Sequence, residues 1–236
     1  MLRSIARRSG VGLLALAGIA AYELVIRPWH LHWGATEDEA GRELPGDDLI
    51  ADPKLVTTHA ITINAPEEMI WPWLLQLGQG RGGFYSYDWL ENLFKLDIHT
   101  VERILPDLQD LQVGDTIPFA PDGTGMTVAR LDSPHALVLL GSATLPGAEG
   151  IVTPIRTEGA PFRATWAFVL NHLSVNTTRL VVRLRMTWTR NALATAGTHL
   201  VLEPAHFVME RQMLRRLKHL AERHARAQRE SGCREE

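Results

Sequence analysis

Apolar and polar positions alternate most regularly over residues 179–188. Leu180, Val182, Leu184, Met186 and Trp188 fall on one face, and Val181, Arg183, Arg185 and Thr187 on the other. A period of two with one apolar face predicts a curved, half-buried antiparallel strand. Residues 164–170 repeat the pattern with Trp166, Phe168 and Leu170, and Asn176-Thr177-Thr178 supplies the turn between the two strands. Shorter strands are predicted at 57–63, 116–119, 126–131 and 137–140, and residues 141–161 read as a long loop with a short strand near 151–155. Asn64-Ala65-Pro66-Glu67-Glu68 signals a helix start, with acids in the first turn and an early proline, and that helix stops at Gly78. A second short helix is expected from Tyr87 to Phe94, after the glycine-rich loop Gly78-Gln79-Gly80-Arg81-Gly82-Gly83. From about Leu200 the period changes. Leu202, His206, Met209, Met213, Leu217 and Leu220 recur at spacings of three and four, which predicts a long amphipathic helix to about Gln228. The order is strand, two short helices, a run of antiparallel strands and a closing helix that covers the sheet, an α+β class.

The amino end follows another rule. Arg3, Arg7 and Arg8 precede a nearly continuous apolar run from Val11 to Ile26, and Arg27-Pro28-Trp29-His30-Leu31-His32-Trp33 follows. A membrane-spanning helix needs about 17–25 apolar residues, so the run suffices when residues 9–29 together contact the bilayer. Glu23 lies near one end, where a charge reaches the headgroups. Trp29 and Trp33 suit an aromatic interfacial belt. The arginines favour a cytoplasmic amino terminus and a single pass, with the domain on the outer side of the cell membrane. The alternative is secretion after cleavage of a signal peptide, because Ala15-Leu16-Ala17 and Gly18-Ile19-Ala20 offer small-residue cleavage sites. The chain thus divides into an anchor (1–33), an acidic linker (34–55), a folded domain (56–228) and a disordered tail (229–236).

An apolar fraction of 45% and a charged fraction of 22% are those of a globular protein. A net charge of −3 gives no reason to expect nucleic acid as a partner. The single cysteine, Cys233, excludes an internal disulfide framework. Acids cluster between Glu37 and Asp52, and bases between Arg211 and Arg229. Both read as solvated faces, and the basic helix could also help dock the domain on anionic lipid.

Four stretches carry a resemblance. They are Arg27-Pro28-Trp29-His30-Leu31-His32-Trp33-Gly34-Ala35-Thr36, Trp71-Pro72-Trp73-Leu74-Leu75-Gln76-Leu77-Gly78-Gln79, Gly82-Gly83-Phe84-Tyr85-Ser86-Tyr87-Asp88-Trp89-Leu90-Glu91-Asn92 and Leu202-Glu203-Pro204-Ala205-His206-Phe207-Val208-Met209-Glu210-Arg211. With this element order the chain resembles the START-like, or SRPBCC, superfamily. More narrowly it resembles membrane-anchored bacterial polyketide-cyclase-like proteins. The resemblance implies a helix-grip fold, a curved antiparallel sheet wrapped around a long carboxyl-terminal helix. It also implies a deep cavity between sheet and helix for a lipid or other hydrophobic small molecule.

Two constellations are candidates for chemistry. Phe84-Tyr85-Ser86-Tyr87-Asp88-Trp89 offers rings, hydroxyls and a carboxylate to an apolar ligand with a polar end, or else is core with Asp88 as a helix cap. Glu203, His206 and Glu210 share one helix face. Glu-x-x-His is half of a di-iron site, but no second copy is present, so neither metal nor cofactor is expected. A His206–Glu couple in a cavity could act as acid and base. Asp88, His99, Arg183 and His206 are the polar residues that could face the cavity, with Asp88 and His206 as catalytic candidates. His30, His32, His219 and His224 read as surface residues. The expected lining is Trp71, Trp73, Phe84, Tyr85, Tyr87, Trp89, Trp166, Phe168, Trp188, His206, Met209 and Met213. The reading is a membrane-tethered module that binds a hydrophobic molecule without covalent chemistry. The alternatives are a cyclase or dehydratase using polar cavity residues, and a structural domain whose cavity its own side chains fill.

Overall fold

The computed structural model describes residues 18, 21–142, 162–188, 195 and 197–232. Most of the predicted membrane segment, the predicted loop and short strand between 143 and 161, and Cys233 lie outside the described residues.

Among the described residues, six strands form one antiparallel sheet: β1 (Leu55–Ile63), β2 (Thr116–Pro118), β3 (Gly125–Asp132), β4 (Ala136–Ser142), β5 (Phe162–Ser174) and β6 (Thr177–Trp188), in the order β1-β6-β5-β4-β3-β2. The longest pair, β5 and β6, is the hairpin that the alternation predicts, with Trp166 opposite Leu184 and Phe168 opposite Val182. Short helices α1 (Arg27–Leu31), α2 (Glu37–Gly41), α3 (Glu67–Leu75) and α4 (Asp88–Leu93) precede or interrupt the sheet. A π-helical turn, Thr198–Leu202, leads into the long helix α5 (Glu203–Gly232). Pro204 lies just after the π-helical turn, where the regular backbone ladder is already interrupted. The helix continues through 229–232, which were expected to be a disordered tail. The described residues thus form an α+β architecture, an antiparallel sheet closed by a long carboxyl-terminal helix.

The core sits between the inner face of the sheet and α5. Leu180, Val182, Leu184, Met186 and Trp188 point into it, and Met213, Leu214, Leu217, Leu220 and Ala221 cover it from the helix. That face is the one predicted from the period of two.

The outer face of β6 is also covered, which changes the reading of 34–55. These residues are not a free linker. They form a strap across the sheet, with α2 closed by a Thr36–Glu39 capping box. The strap comes close enough that Gly34, at φ +76°, would place a Cβ 2.2 Å from the Ala60 carbonyl oxygen. Arg183 fastens it. Its guanidinium donates to Asp47 (2.6 Å), to the carbonyls of Glu39, Ala40 and Arg42 (2.7, 2.9 and 2.8 Å) and to Thr58 (3.0 Å). Arg179 donates to both Glu39 oxygens at 2.7 and 2.8 Å, which holds that carboxyl down at about 2. The acidic stretch therefore supplies counter-ions for arginines on the sheet, and Glu39 and Asp47 are buried.

Candidate functional site

A cavity of about 280 Å³ opens between the sheet and the start of α5. Its strand walls come from β1 (Leu55), β6 (Leu184, Met186), β5 (Phe162, Ala164, Trp166) and β3 and β4 (Met126, Gly141). Gly141 makes room for Met126 on this wall, since a Cβ there would stand 2.7 Å from Met126 Cγ. Leu202, His206, Met209, Glu210 and Met213 line the helix side, and Phe84, Ser86, Glu91, Leu96 and Phe119 close the end. The helical spacing of three and four brings His206, Met209, Glu210 and Met213 to one face, and strand alternation brings Ala164 and Trp166 opposite them.

Two polar groups interrupt this apolar wall. The first is centred on Glu210, which is buried. Trp166 Nε1–H donates to Glu210 Oε1 at 2.6 Å. His59 Nε2 lies 2.7 Å from the His30 carbonyl oxygen and donates to it, which turns His59 Nδ1 onto Glu210 Oε2 in a very short contact. A lone pair on Nδ1 would repel the carboxylate, so the contact requires a proton between them, as in an imidazolium–carboxylate pair. Burial alone would depress His59, but the neighbouring Glu210 carboxylate overcomes it and holds the imidazole above its ordinary range. Burial alone would raise Glu210, and His206 and His59 together hold it far below the carboxylate range. His206 Nε2 stands 3.3 Å from Glu210 Oε2, at ion-pair distance but without hydrogen-bond geometry.

The second group is Glu91 and Ser86. Glu91 is 2% exposed, its Oε2 has no hydrogen-bond partner, and burial, with the nearby Asp88 charge, pushes its carboxyl up to about 7. Ser86 Oγ is buried and also unpartnered.

His59, His206 and Glu210 offer two nitrogens and an oxygen within 4.8 Å of one another, the donor set of a two-histidine, one-carboxylate metal site. In this arrangement the trio is a hydrogen-bonded ion pair with a third group beside it.

Of the residues expected to line the cavity, Phe84, Trp166, His206, Met209 and Met213 are on its wall. Trp71, Trp73, Tyr85, Phe168 and Trp188 are buried in the core away from it. There Tyr85 donates to the Trp73 carbonyl at 3.1 Å and accepts from Gln76 at 2.9 Å, and Trp188 Nε1 donates to Thr195 at 3.2 Å. Trp89 is 69% exposed, with Tyr87 beside it. The Asp88 carboxylate accepts from Thr100 N and Oγ1 at 2.9 and 2.6 Å and pins the following loop. His99 is exposed beside Asp97, and Arg183 faces the strap. Glu203 is separated from the His206–Glu210 pair and is held by Arg27. His30 is buried under Phe207, whereas His32 and His219 are exposed.

Ser86 stood in the Phe84–Trp89 constellation, whereas His59 and Glu91 joined no candidate set from sequence. The alternation of β1 places His59 with Ile61 and Ile63, a signal that it faces inward. Glu91 carries no such signal, because a glutamate three positions after Asp88 reads as a solvated first turn.

The chain matches no protein-family profile and no curated protein sequence. Among solved structures it is similar to a hypothetical protein from Helicobacter pylori (12% identity, 76% of this chain and 95% of that chain, TM-score 0.45). It is also similar to a protein from Mesorhizobium loti (16% identity, 70% and 97%, TM-score 0.35) and to a conserved protein from Geobacillus kaustophilus (14% identity, 71% and 95%, TM-score 0.37).

Proposed function

We propose that this protein binds a lipid or other hydrophobic small molecule in the cavity between the sheet and α5, and does so tethered to a membrane. The carrying observation is an apolar cavity, walled by Trp166, Phe84, Met209 and Met213, whose few polar groups are buried. An apolar recess with a small number of placed polar groups is the form of a ligand site. The sequence resemblance to SRPBCC proteins of helix-grip fold supports the same reading.

The tether rests on the apolar sequence from Val11 to Ile26 and on the surface beside it. No helix among the described residues is long and apolar enough to cross a membrane. The π-helical turn Tyr22–Ile26 and α1 expose Leu24, Val25, Ile26 and Trp29, and the turn before α5 exposes Leu200 and Val201. Tyr22 OH donates to the His199 carbonyl at 3.1 Å, so the two apolar surfaces lie together. Contiguous exposed apolar surface of this kind suits a lipid interface. Leu202, which follows in the same turn, lines the cavity, so the bilayer would meet the protein near the cavity mouth.

A second reading, a cyclase or dehydratase, is favoured by His206, whose ring lines the cavity with Glu210 behind it.

The test is native mass spectrometry of detergent-solubilised full-length protein, with organic extraction of what co-purifies, beside an Ala164→Phe variant. Ala164 lines the cavity, and a ring placed there fills empty space at small cost to packing. A defined hydrophobic molecule in the wild type and none in the variant is the expected result. An empty wild-type protein that also takes up no hydrophobic probe overturns the reading. Turnover of the extracted molecule, lost in His206→Ala with the fold intact, would favour the enzyme.

A further inference from the structure

The polar inventory of the cavity restricts what it can hold, and this inference rests on the binding function proposed above. Among the described residues that line it, none is Lys or Arg. A fatty-acid carboxylate or a phosphate would find no cation on this wall but the imidazole of His206, which already stands 3.3 Å from the Glu210 carboxylate, and it would face two carboxyl groups, Glu210 and Glu91. Burying such a charge unpaired is far more costly than burying a neutral polar group. At the other wall, Glu91 is 2% exposed with Oε2 unpartnered, and the buried Ser86 Oγ is unpartnered too. Most buried polar atoms have partners, so two orphans on one cavity wall mark a place where a bound molecule supplies them.

We infer that the cavity selects an uncharged hydrophobic molecule bearing a carbonyl or hydroxyl oxygen, and that Glu91, in its neutral acid form, donates a hydrogen bond to that oxygen. Ser86 stands on the same wall as a second donor. The neutral state follows from the site. No Lys or Arg lines the described wall, no ion pair reaches Glu91, Asp88 one turn away repels a second negative charge, and the surroundings are apolar. An acid kept neutral by an apolar site can donate where a carboxylate can only accept.

Four probes of equal chain length separate the terms: tridecane, 2-tridecanone, tridecan-1-ol and tridecanoate. Their binding to full-length protein in nanodiscs is read at pH 6.0, below the value of about 7 to which Glu91 is raised, by tryptophan fluorescence, against empty nanodiscs. The ketone and alcohol are expected to bind about tenfold more tightly than the alkane, and tridecanoate more weakly than the ketone. Glu91→Ala is expected to bring the ketone down to the alkane's affinity while leaving the alkane unchanged. Glu91→Gln, whose amide still donates, is expected to keep most of the ketone preference. The inference is overturned if tridecanoate binds as tightly as the ketone, or if Glu91→Ala leaves the ketone-to-alkane ratio as it was. Tight alkane binding with no ketone preference would overturn this inference and leave the carrier reading standing. Failure of all four probes, the alkane included, would overturn both.

Discussion

Arg27 and Glu203 meet 176 residues apart in the chain, the guanidinium Nε and Nη2 donating to the two carboxylate oxygens at 2.8 and 3.0 Å. Glu203 is 1% exposed and opens α5, while Arg27 opens α1. The pair joins the amino-terminal helix to the closing helix beside the cavity. Its parallel fork geometry is the one that makes arginine hard to replace by lysine.

Removing Arg27 would leave a buried carboxylate without its counter-ion. Arg27→Ala is expected to destabilise the protein by about 2–4 kcal/mol. Glu203→Gln in the same background should restore part of that loss, because the charge to be buried is gone. Thermal unfolding followed by circular dichroism, with hydrogen exchange over 21–31, checks it. Unchanged protection of those amides in Arg27→Ala would show that the pair does not dock the helix.

The Glu210–His59 pair predicts a pH window. Glu210 is held below its ordinary value of 4.5, so its contribution to stability is present above that value and is lost as pH falls toward the folded value. His59 is held above its ordinary 6.5, so its contribution is complete below that value and is lost as pH rises through the folded one. Both conditions hold between about pH 4.5 and 6.5, where the pair's contribution is greatest. Glu210→Gln is expected to cost most stability in that interval and to flatten the profile on either side. A uniform loss from pH 4 to 9 in denaturant titrations would mean that the pair is not ionised.

The sheet and the long helix were legible because their spacing repeats. A period of two in β6 and of three to four in α5 fixes which side chains share a face. The strap was not legible, because, apart from the Thr36–Glu39 capping box, what orders residues 34–52 is not local. Asp47 and Glu39 look like solvated acids until Arg183 and Arg179, more than a hundred residues away, are placed beneath them. The site was half legible for the same reason. Met209, Met213 and His206 follow from helix spacing, and Trp166 from strand alternation. Which aromatic of the run from Phe84 to Trp89 turns inward depends on backbone geometry. Tyr85 sits at φ +57°, an uncommon conformation for a residue other than glycine, and from there Tyr85 packs into the core while Phe84 and Ser86 line the cavity.

Glu91 predicts a stability profile of opposite sense to Glu210. Its folded value, raised to about 7, means that the folded protein holds this proton more tightly than the unfolded chain does. Stability from this group is complete below about 4.5, declines as pH rises toward 7, and stays low above it. Glu91→Gln should therefore be close to neutral at pH 4 and stabilising by roughly 2 kcal/mol at pH 8. Denaturant unfolding of the two proteins at those pH values checks it. Equal effects at both would mean that Glu91 titrates as an ordinary surface carboxyl.

The membrane reading predicts that residues far apart in sequence share one lipid contact. Leu24, Val25 and Ile26 are 76, 67 and 50% exposed, and Leu200 and Val201 are 69 and 67% exposed. In water this surface is unfavourable, by roughly 25 cal/mol for each Å² left uncovered. In a bilayer interface it is not. An environment-sensitive fluorophore on Val201→Cys, with Cys233 replaced by serine, is expected to be quenched by shallow nitroxide lipids in liposomes. The same fluorophore on Ile26→Cys should be quenched as well. On Val175→Cys it should not be, since Val175, 78% exposed, lies at the β5–β6 turn, the other end of the hairpin from the cavity residue Phe162. Quenching at 26 without quenching at 201 would confine the membrane contact to the amino-terminal segment. Quenching at neither would remove the tether and leave the cavity to be filled from solution.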